Sequence, residues 1–343
     1  MPAPWLPYTA AHGPALIALW NAALAEAIPL GPALWQQNVD GDPLFDPRDC
    51  LIAAGPAGQP VGFAITRRMA AADLRAYPAL VAARDEGYLL ALIVDPRHAR
   101  QGTGTQLLHA AEARLRAQGA TRMVLGGGPG HLVPGVPHAG VSGGFWARQG
   151  YSDPQVVADL RGDLPGWVAP PIPSGLAGGA FAMRQGRVGE EVAILAWLDG
   201  AFPGGWPYNV RRAFAGGYRP SDVTLLVDAQ DAIQGFCCTF HPASGWLGGG
   251  SLYFPPGGGT DWGGLGPLGI AARLRGQGLG QAIVAAGVAY LQSRGVRRCG
   301  IDWIVLREFY AQLGFGIWQE YDRYEKPLGQ DVSPPGALTS ADR

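Results

Sequence analysis

Apolar positions along the chain recur in a helical and a strand-like rhythm, and the order of the two repeats. Leu107, Leu108, Ala111 and Leu115 fall at helical spacing, as do Ile283, Ala286, Ala289 and Leu291, so each group predicts the buried face of an amphipathic helix. Both helices open on a glycine turn, "HARQGTGTQLL" (98–108) and "RLRGQGLGQAIV" (273–284), and both stop at a glycine, Gly119 and Gly295. The stops are followed by "TRMVLG" and "VRRCGI", and the turns are preceded by "YLLALIVDP" (88–96) and "LGPLGIAA" (265–272), all readable as strands. Farther upstream each half offers two strands joined by a turn, in "CLIAAGPAGQPVGFAITRRM" and "VTLLVDAQDAIQGFCCTF". Each half also begins with helix-like segments, such as "PALIALWNAALAEA" and "EEVAILAWLDGAF".

The two rhythms are an internal repeat. With an offset of 176, Gln101, Gly102, Gly104, Ala110, Leu115, Gly119 and Arg122 fall on Gln277, Gly278, Gly280, Ala286, Leu291, Gly295 and Arg298 without a gap. "FWARQGY" (145–151) matches "FYAQLGF" (309–315) at an offset of 164, so the first half carries twelve extra residues, inside the loop-like "GGGPGHLVPGVPHAGVSGG". The proline-rich "PGWVAPPIPSG" (165–175) separates the copies. The expected organisation is a first domain over 1–165, a second over 176–327 and a disordered tail over 328–343.

Composition narrows the functional classes. A formal net charge of −1 in 343 residues removes any global electrostatic case for nucleic acid or a membrane surface. Cys50, Cys237, Cys238 and Cys299 form no CxxC pair, so neither a disulfide framework nor a metal site is expected, and a reducing cytoplasm is the default. The opening "MPAPWLPYTAAHGPALIALW" lacks a basic n-region, and no apolar run reaches spanning length.

A glycine-rich turn between strand and helix aims several backbone N–H groups at one point, at the positive end of the helix, which suits a phosphate or pyrophosphate. The bland alternative is a tight turn that glycine merely permits. No GxxxxGK[ST] is present, and Gly278-Leu279-Gly280 is followed by Ala282 and Ile283 without the third glycine of a dinucleotide fingerprint.

What remains is RxxGxG, Arg275-Gly276-Gln277-Gly278-Leu279-Gly280, with "FYAQLGF" downstream. In this order and spacing the pair resembles the GNAT family of acetyl-CoA-dependent N-acetyltransferases, once per half, as in tandem-GNAT proteins. The resemblance implies an α/β fold of two tandem domains, each a mixed, mostly antiparallel sheet with a splayed central strand pair flanked by helices. It implies that backbone amides from Arg275 through Gly276, Gln277, Gly278 and Leu279 to Gly280 hold the CoA pyrophosphate. Leu268, Gly269 and Ile270 would lie on the splayed strand that pairs with the pantetheine arm, one N–H polarising the thioester carbonyl. Tyr310 aligns with the tyrosine that protonates the departing thiolate; read from the residues alone it is equally an aromatic packed on the sheet.

The first half departs from this pattern. Ala99 takes the arginine position and Trp146 the tyrosine position, while Gln101, Gly102, Thr103 and Gly104, with Leu92 and Val94 on the preceding strand, still suit a second cofactor site. That half is therefore expected to be catalytically degenerate. For the base that deprotonates the acceptor amine, the candidates are Asp302, at the end of the strand before the Tyr310 helix, and Asp261, with His241 and Glu308 behind them. "AFPGGWPYNVRRAF" (201–214) is expected to cover the acceptor site, its Arg211 and Arg212 either recognising an anionic group or packing beneath the cover. His131 and His138 in the long loop match no metal motif. The expected activity is direct acetyl transfer from acetyl-CoA to a small-molecule primary amine, without metal, by a monomer or homodimer. The alternatives are an acyl-CoA-binding regulatory or structural protein without turnover, and an acyltransferase using another acyl-CoA or acceptor.

Overall fold

The computed structural model describes residues 5–24, 28–138, 143–251 and 259–329. The first half supplies strands β1 (Trp5–Leu6), β2 (Cys50–Ala54), β3 (Pro60–Arg67), β4 (Glu86–Val94), β5 (Arg122–Leu125), β6 (Val136–Pro137) and β7 (Gln155–Asp163). The second supplies β8 (Phe181–Gln185), β9 (Val223–Asp228), β10 (Ile233–Phe240), β11 (Trp262–Ile270), β12 (Arg298–Ile304), β13 (Gly316–Arg323) and β14 (Glu325–Pro327). They build two sheets, in the orders β1-β2-β3-β4-β5-β14 and β6-β13-β7-β12-β11-β10-β9-β8. Among the described residues only β4 with β5 and β11 with β12 pair in parallel; the sheets are mixed and mostly antiparallel, as the sequence predicts.

A parallel pair needs a crossover, and the repeat's amphipathic helices supply it, Thr103–Ala117 in the first half and Leu279–Ser293 in the second. Leu107, Leu108, Ala111 and Leu115 are all fully buried beneath the first sheet. In the second helix the buried stripe differs from the predicted one. Leu279, Ile283, Val284, Gly287, Val288 and Leu291 face the sheet, whereas Ala289 is exposed. Gly287 decides the rotation, because a Cβ there would stand 3.2 Å from both Cys237 Sγ and Leu265 Cδ1, so the helix presses its bare backbone onto the strands.

The halves are interlocked. β7 lies before the proline-rich linker yet runs between β12 and β13 in the second sheet, with Leu160 opposite Ile301 on one side and Ile317 on the other. β14 returns the exchange, pairing Glu325 with Val124 of β5. Val157 and Tyr321 consequently share one core with Leu16, Trp20, Phe63 and Leu132 of the first half. Polar links reinforce this seam. Gln37 donates to the Leu247 carbonyl at 2.9 Å and accepts the Leu247 N–H at 2.8 Å. Asp42 lies between Arg67 at 2.5 Å and Arg212, on the helix Gly205–Ala215, at 2.9 Å. Among the described residues no helix is long and apolar enough to cross a membrane. Of the expected tail, residues 330–343 lie outside the described residues.

Candidate active site

The second sheet opens in its middle. Among the described residues β11 and β12 pair over Trp262–Gly264 with Arg298–Gly300, and beyond Gly264 the pairing ends. On its other side β11 stays bonded to β10, with Leu268 opposite Cys237 and Ile270 opposite Gly235. The Ala271 N–H donates to the Gln234 carbonyl at 2.8 Å. Because main-chain groups alternate in direction along a strand, those of Leu268 and Ile270 turn away from β10, into the gap. The first half repeats this. β4 and β5 part after Leu89–Leu125, and the Asp95 N–H bonded to the Val61 carbonyl at 2.9 Å turns Leu92 and Val94 into the gap.

The glycine turns share a second geometry. Gly276 and Gly278 both adopt left-handed φ values of 76°, and the helix Leu279–Ser293 starts immediately after. At the matching positions Arg100 has φ 63° and Gly102 φ 86°. A left-handed arginine costs about 1 kcal/mol, so the fold imposes this turn even where glycine is absent. In the second half Arg275, Gly276, Gln277 and Gly278 are exposed, and a Cβ at Gly276 would meet nothing within 4 Å. Open amides at a helix N-terminus fit a pyrophosphate well. The linker borders this cradle, since a Cβ on Gly278 would stand 3.2 Å from Pro173.

Tyr310 sits on the short helix Arg307–Ala311, 6 % exposed, with its ring edge-on to Phe309 and Phe315. Burial raises its phenol pKa, and the neighbouring Cys237 thiol and Asp302 carboxyl raise it further. Those two neighbours place the ring at the gap, since Cys237 pairs with Leu268 and Asp302 lies just past the last β11–β12 pairing. Among the described residues the Tyr310 hydroxyl has no hydrogen-bond partner, so its proton is free for a ligand.

Asp302 comes together with Tyr310 and with a residue that the sequence analysis missed. Asp159, on the exchanged β7, is 2 % exposed and accepts the Trp303 N–H at Oδ1, 2.9 Å away. Burial lifts the Asp159 carboxyl far above the usual range and the Asp302 charge adds to this, while the Trp303 N–H and the Tyr321 hydroxyl pull the other way. Asp302 is only half-buried by its surface, yet its carboxyl is lodged deep among protein atoms, and that burial raises its pKa too. The one available signal for Asp159 was an acid inside the apolar "VVADL".

The other base candidates lie elsewhere. Asp261 is held low by Arg298, 2.9 Å away. It stands seven residues before Leu268, roughly 20 Å along an extended strand. His241 is buried against Asp222 at 3.1 Å and accepts the Ala243 N–H at Nδ1, 3.2 Å away. Glu308 is exposed. Arg212 is partly buried and committed to Asp42, whereas Arg211 stays exposed, paired with Asp199 at 3.2 Å and lying over the Tyr77 ring. The segment expected to cover the acceptor site folds as the end of the helix Glu191–Ala201, a turn and the helix Gly205–Ala215. In the turn, the Phe202 ring lies directly on Gly269, where any Cβ would strike it. The long loop of the first half packs on the second half, with His131 edge-on to Trp303 at 5.3 Å and His138 2.7 Å from Asp322. Burial lowers His131 to about 4, so it is neutral. Among the described residues no group of His, Cys, Asp or Glu is arranged to hold a metal ion.

The sequence model of the acetyltransferase (GNAT) family matches residues 16–131 and 192–315, together well over half of the chain and once in each half. The chain belongs to the GNAT acetyltransferase family. No curated protein matches it. Among solved structures, a GCN5-related glucosamine N-acetyltransferase region of a fungal multi-domain GH3 β-N-acetylglucosaminidase superposes with a TM-score of 0.79 at 23% identity, over 95% of this chain and 38% of that one. A GCN5-related N-acetyltransferase from Sphaerobacter thermophilus gives a TM-score of 0.69 at 17% identity, over 96% of this chain and 97% of that one. A tandem GNAT protein from the clavulanic acid biosynthesis pathway gives 0.65 at 16% identity, over 96% and 99%. At these identities the likeness is one of fold, and it extends to the tandem arrangement of GNAT domains. Within this GNAT pair the halves differ at the gap. The offset of the repeat places Gly126 where the second half has Asp302, and Trp146, its Nε1 buried without a partner, where the second half has Tyr310.

Proposed function

We propose that the second domain transfers an acetyl group directly from acetyl-CoA to a primary amine of a small molecule. The observation that carries this reading is the opening of β11 from β12, with the main-chain groups of Leu268 and Ile270 turned into it. The opening lies between the left-handed glycine turn and a buried phenol. In this reading the amides of Arg275–Gly280 hold the pyrophosphate, and the main chain of Leu268, Gly269 and Ile270 aligns the pantetheine arm and polarises the thioester carbonyl. Acetyl-CoA supplies an acyl thioester.

Asp302 takes one proton from the acceptor's ammonium group. The freed nitrogen bonds to the acetyl carbon as the carbon–sulfur bond breaks. Tyr310 gives its proton to the departing sulfur and regains one from the nitrogen. The products are an amide and a thiol, and the proton held by Asp302 passes to water. The first domain, with Gly126 and Trp146 at the two working positions, serves as scaffold. Its retained turn (Arg100, Gln101, Gly102, Thr103, Gly104) and the inward-facing Leu92 and Val94 favour a second reading for that half alone, binding of CoA without turnover. The four cysteines, all buried and unpaired, suit a reducing cytoplasm.

Calorimetric titration with acetyl-CoA tests the proposal, read for stoichiometry before affinity. One site per chain supports a single working domain, and two sites support the second reading of the first half. Absence of binding would remove the proposal. Thiol release is then screened across primary amines, glucosamine first, because the fungal neighbour is described as a glucosamine N-acetyltransferase.

A further inference from the structure

We propose that the acceptor site of the second domain is completed by the first half of the chain, with Asp159 of the exchanged strand β7 acting as a positioning residue that shares a single proton with Asp302. This rests on the reading of Asp302 as the group that receives the amine's proton.

The geometry around Asp159 is built rather than incidental. Both strands that flank β7 bulge opposite this one residue. Along β12 the register passes from Ile301–Leu160 to Ile304–Ala158, so Asp302 and Trp303 together face Asp159. Along β13 it passes from Ile317–Leu160 to Gln319–Asp159, which leaves Trp318 as an extra residue. Bulges re-aim side chains and interrupt pairing. Here Trp303 takes a left-handed φ of 54°, an unfavourable conformation for a bulky residue, and in it points its N–H at Asp159 Oδ1. The Tyr321 hydroxyl, on β13, also acts on the Asp159 carboxyl. A carboxylate needed only to cap the bulge would carry no reason to sit beside a second acid.

The neighbours bring no counter-charge to the two carboxyls. On β13 the Tyr321 hydroxyl meets Asp159, and on the short helix Tyr310, its phenol pKa raised by burial, stands near Asp302. The first-half loop contributes the neutral His131, through Trp303. The nearby cations are engaged with rings, Arg323 lying 4.9 Å from the Trp303 centroid and Arg161 5.8 Å from that of Trp318. Among the described residues no cation is paired with either carboxyl. Two adjacent buried carboxylates without a counter-ion cannot both ionise. The buried partner, Asp159, keeps the proton. The half-exposed Asp302 keeps the charge, with its basicity raised toward that needed to accept a proton from an ammonium ion near neutral pH. One net negative charge at the mouth of the gap matches one cationic amine.

The test is a pH titration of side-chain carboxyl resonances in the full chain labelled with ¹³C at aspartate Cγ, which requires neither acceptor nor turnover. Two resonances should titrate above the ordinary carboxylate range in coupled steps. Asp159→Asn, which keeps an oxygen for the Trp303 N–H, should remove one of them and lower the midpoint of the other by about one pH unit. Asp302→Asn, at the less buried position, gives the reciprocal reading should the first variant not fold. Independent titrations, each unmoved by loss of the other acid, would reduce Asp159 to a cap on the bulge and overturn the proposal. Acetyl-CoA calorimetry on the same samples separates this from failure of the transferase reading, since a protein that shows the coupled pair but binds no acetyl-CoA loses the function and keeps the dyad.

Discussion

Gly280→Glu should stabilise the fold while damaging the site, two effects of opposite sign from one side chain. Gly280 is the second residue of the helix Leu279–Ser293, with no left-handed φ, and a Cβ there would lie 3.6 Å from the Phe309 ring, an ordinary contact. Replacing a helical glycine recovers about 0.8 kcal/mol of propensity. An acid in the first turn adds about 0.5 kcal/mol through the helix dipole. The folded protein should therefore gain about 1 kcal/mol. The same negative charge opposes a bound pyrophosphate. At about 6 Å and an effective dielectric near 20, one unit of repulsion is roughly 3 kcal/mol, or about a hundredfold in affinity. Urea denaturation reads the first effect and calorimetry with acetyl-CoA the second. Gly104→Glu is the matched control, since a Cβ there would meet Val94 and Phe145 no closer than 3.7 Å. Gly278 is a poorer probe, because its φ of 76° and the nearby Pro173 would strain any side chain. Undiminished acetyl-CoA affinity in Gly280→Glu, with the loss appearing in Gly104→Glu, would refute the placement of the cofactor in the second domain.

Three further outcomes are expected. Tyr310→Phe removes a hydroxyl without a partner among the described residues and leaves the ring packing intact, so stability and acetyl-CoA affinity should hold while thiol release in the presence of an acceptor falls by about 10²- to 10⁴-fold; an unchanged turnover number would eliminate Tyr310 as the acid. Asp42→Asn should cost about 3–5 kcal/mol in urea denaturation, because it strands the fully buried Arg67 without its counter-charge and frees Arg212; a loss below about 1 kcal/mol would mean that the triad does not tie the halves together. The raised pKa of Asp302 means that the folded protein holds a proton that the unfolded chain has already released, so this group weakens the fold as pH rises from the ordinary carboxylate range toward the folded pKa. Asp302→Asn should flatten that decline in a series of urea midpoints between pH 4 and 8, and an unaltered pH dependence would contradict the elevated pKa.

Much of the site was legible before any coordinates, because its chemistry is local. The left-handed glycine turn, the helix that follows it and the strand that precedes it are written in adjacent residues. Tyr310 lies at a spacing the repeat itself defines. Asp302 was readable for the same reason, as a residue near the end of the strand that follows Gly295. The stripe on the second helix was read less well, since an alanine-rich sequence offers several similar faces and Gly287, an absent side chain, chooses among them.

The sequence by itself determined that two copies of one α/β unit follow each other, where each glycine turn lies, and which copy keeps the tyrosine. Only the tertiary structure decided which strand joins which sheet. Alternation along β7 specifies a strand buried on both faces, and that pattern reads the same in either domain. The partners of Asp159 are Trp303 and Gln319, well over a hundred residues away in the chain, and no local period encodes a contact at that distance. Two similar halves offer similar slots, and the pairing is settled by the core that Val157 and Tyr321 complete and by the buried Asp42 between its two arginines. The exchange that interlocks the halves therefore also carries an acid of the first half to face Asp302 and Trp303 of the second.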